Sequence, residues 1–368
     1  MISSQNYITD DAALKEVVAL IREEKLVALD TEFMREKTYY PILSLIQIAV
    51  KKSGEQKLFI VDALSDVSLA PLMSVIFDKN ITKILHASLQ DLQIFCQKAG
   101  IAGGGIFDDL AESVIDTQIM ANFCGFNFNT GYSNLAEIIL QKNIDKTLQR
   151  SDWQKRPLSV EQLEYAISDV IFLEEIYEKL SKILTEKNRT KWYQEEMRIF
   201  VNKAMSETQD NLFKNFSFKG RSRDEVSRIK NLILWRESWA KKLDLPRQHF
   251  LRDEVVERVA YSRNFDLHLD EKKIAEIKEI LEQNVEFEEK ICVKDEGNFM
   301  NDKQKNLYKK AKELIAEIAR EENLKEQLLI TSQHLKNLVC TKKSIEESLR
   351  GWRYQLCGER IKNLIAQA

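Results

Sequence analysis

The stretch LVALDTEFMREKTYYP, from Leu26 to Pro41, sets two acids at the end of an apolar run. Val27, Ala28 and Leu29 read as a buried strand, and Asp30 and Glu32 follow at alternating positions. Successive side chains of a strand point to opposite faces, so both carboxylates project from one face. Two like charges at the margin of a core repel each other and are costly to desolvate. Such a pair needs a compensating partner or open water.

Outward from this strand, LSLIQIAV, KLFIVDA and KILHA read as three more strands, with a helix over LAPLMSVIF before the last. KKSGEQK closes a hairpin. From Ser88 the pattern turns helical, is interrupted by AGIAGGGIFDD and CGFNFNTGYSN, and ends in a long helix beginning near Ser159. Gly103–Gly105 reads as a loop. An α/β domain, a mixed sheet with flanking helices, is therefore expected over 1–205. After KNFSFKGRSRDE the strand signals stop, and apolar residues recur at i, i+3, i+4 on either side of the polar break CVKDEGNFMNDKQ. Two all-α bundles are expected, over 211–292 and 300–368.

Composition narrows the function classes. A 368-residue chain with 44% hydrophobic and 31% charged residues is globular and long enough for more than one domain. No apolar run approaches the ~20 residues of a membrane span. The opening MISSQNYITDDAALKEVV lacks the basic-then-apolar layout of a signal peptide, and the five cysteines show no zinc or redox spacing. A cytoplasmic protein with reduced thiols is expected. Charge is uneven: residues 211–368 hold 32 Lys and Arg against 27 Asp and Glu, and residues 1–210 hold 23 against 31. This split suits a reaction centre joined to a polyanion-binding module, and ordinary scatter explains it equally well.

The chemistry lies in three separated segments. ILHASLQDLQIF places Asp91 just after a strand, near a helix start. LSVEQLEYAISDVIFL opens with Ser159 and Gln162 at capping-box spacing and carries Tyr165 and Asp169 on one helix face. Taken singly, each has an ordinary reading: solvated acids, a helix-start charge favoured by the dipole, a half-buried tyrosine. Together the four carboxylates are oxygen ligands suited to hard divalent cations. Two cations ~3.5–4 Å apart can activate a water and stabilise the leaving oxygen of a phosphodiester. Their charge would also offset the repulsion between Asp30 and Glu32. No G-x-x-x-x-G-K-[ST] loop, H-E-x-x-H helix or paired-cysteine zinc site competes with this set.

These segments resemble the motifs of the ribonuclease D family, in the tyrosine-bearing branch of the DEDD exonucleases. DTEFMREKTYYPILSLIQ is similar to the first motif, LHASLQDL to the second, and SDWQKRPLSVEQLEYAISDVIFL to the third with its Y-x-x-x-D spacing. ILWRESWAKKLDLPRQHFLRDEVVERVA resembles the core of an HRDC domain, and LRGWRYQLCGERIKNLI the end of a second HRDC-like domain. The resemblance implies an RNase H-like exonuclease core followed by two HRDC-like bundles. It implies hydrolysis of RNA from its 3′ end to nucleoside 5′-monophosphates, with tRNA precursors and other structured RNAs as partners. It assigns Asp30, Glu32, Asp91 and Asp169 to two divalent cations, Mg2+ or Mn2+, and the attacking water to Tyr165.

Weaker expectations attach to the substrate. The edge from Thr31 to Phe33 would lie against the terminal nucleotide. Gln47 could bond a sugar or close a buried network. His86 could approach a phosphate, although a strand-end histidine is more often packed. Trp153 with Arg156, Arg150 and Lys155 suits single-stranded RNA, and Trp153 serves equally well as a packing anchor. Trp235, Trp239 and Trp352 read as core. A monomer is expected. A DNA exonuclease and a non-catalytic nucleic-acid scaffold are the rival classes.

Overall fold

The computed structural model describes residues 6–101, 107–206, 212–213, 215–218, 220–262, 267–282, 300–340 and 345–367. Gly103–Gly105 and most of the polar break before residue 300 lie outside the described residues. Two compact units emerge: residues 1–34, 43–207 and 300–368 form one, and residues 35–42 with 208–299 form the other.

The first unit is built on a six-stranded sheet. Its elements begin β1 (Tyr7–Ile8), α1 (Asp11–Glu24), β2 (Leu26–Met34), β3 (Ile42–Lys52), β4 (Glu55–Asp62), α2 (Ala70–Ile76), β5 (Thr82–Leu85) and α3 (Leu89–Lys98). They continue α4 (Asp108–Ala111), β6 (Val114–Asp116), α5 (Thr117–Cys124), α6 (Tyr132–Leu140), α7 (Val160–Ser168), α8 (Leu173–Glu186) and α9 (Thr190–Met205). The strand order is β1-β4-β3-β2-β5-β6. The β3–β4 pair is antiparallel, while β1–β4, β2–β5 and β5–β6 are parallel, so the sheet is mixed as expected. Ser53 and Gly54, with φ of 52° and 84°, form the two-residue turn that joins β3 to β4.

The sequence reading missed two strands. β1 has two residues and β6 three, too short to show alternation, and Val114, Ile115 and Asp116 are all buried. The single helix expected from Ser159 is two, α7 and α8, separated by the turn 169–172 that begins at Asp169. Helix α10 (Arg223–Leu243), α11 (Arg247–Phe250), α12 (Asp253–Ser262) and α13 (Glu271–Glu282) belong to the second unit. Its core gathers Phe213, Phe216, Ile229, Ile233, Trp235, Val256 and Ile277. There the buried Glu237 accepts from the Tyr39 hydroxyl and pairs with Arg247, and the Tyr40 N–H donates to Asp244 at 3.1 Å. Trp239 is half-buried, with Lys273 Nζ 4.2 Å and Lys242 Nζ 4.7 Å from its ring centre.

The C-terminal helices α14 (Asp302–Glu321), α15 (Glu326–Leu329), α16 (Ser332–Cys340), α17 (Ile345–Ser348), α18 (Gly351–Arg353) and α19 (Glu359–Ala366) return to the first unit and share its apolar core. Trp352 is fully buried there, 5.1 Å from Phe123 and 5.6 Å from Trp192 between ring centres. Arg353 forks onto Glu196 at 2.6 and 3.0 Å. Gly351 has a left-handed φ of 55°, and a Cβ there would lie 1.4 Å from Glu195 Oε1. Among the described residues no helix is long and apolar enough to cross a membrane.

One buried cation in β5 yields a pH test. Lys83 is 1% exposed, and its ammonium donates to the Asp78 carbonyl at 2.8 Å and Ser113 Oγ at 2.6 Å. Burial pulls its pKa from 10.5 down to about 7, against the field of Asp78. Between those values the unfolded chain binds the extra proton, so the Lys83 contribution to stability increases as pH rises from about 7 towards 10.5. The unfolding free energy of Lys83→Met, followed by urea titration at several pH values, should lack this part of the parent's slope. Parallel pH profiles for the two proteins would show that Lys83 stays protonated in the fold.

Candidate active site

Asp30 and Glu32 sit two apart on β2, between β3 and β5, and share the face that alternation predicts. Thr31 between them is 6% exposed. Its hydroxyl donates to Asp91 Oδ1, tying β2 to the first turn of α3. The β5–α3 connection that delivers Asp91 is itself braced. Asp116, at the end of β6, accepts from the Ala87 N–H at 3.2 Å, the Ser88 N–H at 2.8 Å and the Ser88 hydroxyl at 2.9 Å. Its carboxylate also caps α5 through the N–H groups of Gln118 and Ile119. Ala87 holds the uncommon φ of 56° within this clasp.

Helix α7 starts at a full capping box: Ser159 Oγ accepts from the Gln162 N–H at 3.2 Å, and Gln162 Oε1 accepts from the Ser159 N–H at 3.0 Å. One turn before its end Tyr165 packs on Trp153, ring centres 5.8 Å apart. Asp169 is the C-terminal cap residue, and the Tyr165 hydroxyl is within hydrogen-bonding reach of its carboxylate.

Electrostatics shows that the four carboxylates sense one another. Burial raises Asp30 well above the ordinary aspartate range, and Asp91, Asp169 and Glu32 add to the rise. Glu32 is pushed up to about 9 by burial and then by Asp169 and Asp91. Burial lifts Asp91 to about 6 against the Thr31 hydrogen bond, and Asp169 to about 7 against the Tyr165 hydrogen bond. The Tyr165 phenol is also raised, first by burial and then by Asp169, Glu32 and Asp30. Lys146 is a cation whose field favours ionised Asp169, and the sequence reading did not single it out.

The structure brings Asp30, Glu32, Asp91, Tyr165 and Asp169 into one electrostatic cluster. The weaker candidates separate from one another. Phe33 is half-buried against the core. His86 Nδ1 lies 2.9 Å from Thr117 Oγ1, whose hydroxyl donates to the Leu85 carbonyl, and burial lowers the His86 pKa. Gln47 is fully buried in β3, and neither atom of its amide has a hydrogen-bond partner among the described residues. Trp153 is 1% exposed, packed with Leu45, Ile60, Ala166 and Ile167 as an anchor under α7. Arg156 is committed to Asp62 through two bonds of 2.6 Å and to the Trp153 and Ser44 carbonyls. Sequence reasoning missed Asp116, although an aspartate ending a short apolar run before a helix carries a capping signal.

The donor set, four carboxylates without a thiolate, fits a hard divalent cation, and positive charge is what the cluster lacks. Among the described residues no three acidic, histidine or cysteine side chains stand in a ready coordination shell. Asp91 is turned to Thr31 and Asp169 to Tyr165.

Residues 5–185 match a family model described as 3′–5′ exonuclease. Ribonuclease D of Haemophilus influenzae is 30% identical over 381 residues, covering 96% of this chain and 91% of that protein. Ribonuclease D of Bartonella henselae is 27% identical over 375 residues, covering 97% and 89%. The crystal structure of Escherichia coli RNase D, described as an exoribonuclease involved in structured RNA processing, superposes with a TM-score of 0.77 at 26% identity over 98% of both chains.

Proposed function

Because the chain belongs to the ribonuclease D family, whose activity is 3′–5′ exoribonucleolytic, we propose that Asp30, Glu32, Asp91 and Asp169 hold two divalent cations, Mg2+ or Mn2+, at the 3′ end of an RNA. The enzyme is a phosphodiester hydrolase, and exonucleases of this family use divalent metal ions. The observation that carries the site reading is the cluster of four mutually repelling carboxylates around β2, with Tyr165 directed at one of them. Bound cations supply charge that polarises the scissile phosphate and its attacking water.

The chain's own residues supply position. Thr31 holds Asp91 in one orientation. Tyr165 is kept protonated by burial and by the acids around it, so its hydroxyl orients the attacking water as a hydrogen-bonding group. The half-buried edge at Phe33 lies against the terminal nucleotide. Residues 1–205 act as the exonuclease domain, 211–292 as an HRDC domain and 300–368 as a second HRDC-like segment. The excess of basic residues after 210 grips structured RNA by its phosphates. The substrates are tRNA precursors and other structured RNAs, in keeping with the description of the E. coli relative, and the enzyme works as a cytoplasmic monomer.

Incubation of the full chain with a 3′-extended tRNA in Mg2+ or Mn2+ should release nucleoside 5′-monophosphates one at a time. A 3′-phosphate block, a circular RNA or EDTA should prevent release. Fragments from the circle would mean internal cleavage and would refute the polarity.

A further inference from the structure

We propose that Tyr132 is a positioning residue for Asp169, its hydroxyl splicing the break between α7 and α8. At the end of α7 the Ile171 N–H reaches the Ile167 carbonyl at 3.2 Å, a regular i→i−4 bond. The next rung should join the Phe172 N–H to the Ser168 carbonyl. Instead the Tyr132 hydroxyl stands between them, accepting from the Phe172 N–H at 3.1 Å and donating to the Ser168 carbonyl at 3.0 Å. A side chain inserted into the ladder in this way breaks a helix at a defined point. The interrupted rung spans residues 168–172, and Asp169 lies inside it. Ser168 Oγ donates back to the Tyr165 carbonyl at 2.6 Å, so both ends of the Tyr165–Asp169 segment are held.

The placement of Tyr132 is itself fixed. It opens α6, it lies 5.8 Å from the His86 ring, and the fields of Asp169 and Asp30 both reach its phenol. Without the hydroxyl, the Phe172 N–H and Ser168 carbonyl can close on each other. That rung would then close next to the tighter turn in which the Leu173 N–H meets the Val170 carbonyl at 3.2 Å, and the Asp169 carboxylate would turn with the backbone.

This inference rests on the reading of Asp169 as a metal ligand. The test compares full-length Tyr132→Phe with the parent and with Asp169→Asn, by Mn2+ titration in the absence of RNA, by kcat and KM on a 3′-extended RNA, and by melting temperature. Misorientation of the Asp169 carboxylate should weaken Mn2+ binding by about 10–100-fold, the range lost when a group that orients a metal ligand is removed. The kcat should fall while KM for RNA holds, and high Mn2+ should restore part of the rate. Parent-like Mn2+ affinity and kcat in folded Tyr132→Phe, with or without a lower melting temperature, would overturn the inference and leave the site intact. Parent-like turnover in Asp169→Asn would overturn the site itself. If Tyr132→Phe does not fold, replacement of Tyr132 by 3-fluorotyrosine keeps the ring and weakens the hydroxyl as an acceptor. Mn2+ binding should weaken there too, and unchanged binding would overturn the inference.

Discussion

Asp91→Asn should abolish hydrolysis while leaving a protein that melts at a higher temperature than the parent in chelator. Asn keeps an oxygen for the Thr31 hydroxyl, so the tie between β2 and α3 survives. What disappears is one of four carboxylates that repel one another in a buried cluster. Cation stabilisation of a phosphoryl transition state is worth several kcal/mol, and each 1.36 kcal/mol is a decade, so a loss of ~10³-fold or more is expected. RNA binding measured in EDTA should be unchanged, and the difference in melting temperature should shrink when Mg2+ is added to the parent. The measurements are single-turnover hydrolysis and calorimetric melting. A variant that trims RNA at the parent rate removes Asp91 from the site. A variant that is inactive and also less stable in chelator shows that Asp91 supports the fold more than the chemistry.

Tyr165→Phe should slow turnover by ~10²–10⁴-fold, the range of positioned proton-handling groups. The ring stays packed on Trp153, and only the hydroxyl facing Asp169 is lost. Because the phenol is pushed above its ordinary value by burial and by Asp169, Glu32 and Asp30, it remains protonated across the working pH range. The rate of the variant should therefore fall at every pH without a change in the shape of the pH–rate profile. KM for RNA and Mn2+ affinity should match the parent. A turnover equal to the parent's would reduce Tyr165 to packing, and a profile that loses an inflection would show that it titrates during the reaction.

Much of the catalytic half was legible because its signals are local. Alternation in β2 put Asp30 and Glu32 on one face, the Ser159–Gln162 pair marked the start of α7, and four-residue spacing paired Tyr165 with Asp169. Elements set by distant partners were not legible. Strands β1 and β6 are too short to carry a period, and each exists because a longer parallel strand supplies its hydrogen bonds. The break at Asp169 has no glycine or proline to announce it, since a hydroxyl 36 residues earlier makes it. Trp153 and Arg156 looked like an RNA-binding pair by composition. Their burial and their bonds to Asp62 and nearby carbonyls emerge only once β3, β4 and the segment before α7 have come together.

Trp352 and Ile361 complete a core whose early members include Ile8 and Leu14. A ribosome that has delivered Asp169, and with it every acid of the site, still has more than half the chain to synthesise. Until Trp352 emerges, Phe123 lacks the ring it meets edge-on and Trp192 the ring it stacks against, and Arg189 waits for the Glu322 carbonyl. Contacts this distant along the chain form late, because loop closure must precede them. The nascent nuclease therefore carries an open apolar face through most of its synthesis, a natural occasion for chaperone binding. Its proposed site is made early and buttressed last.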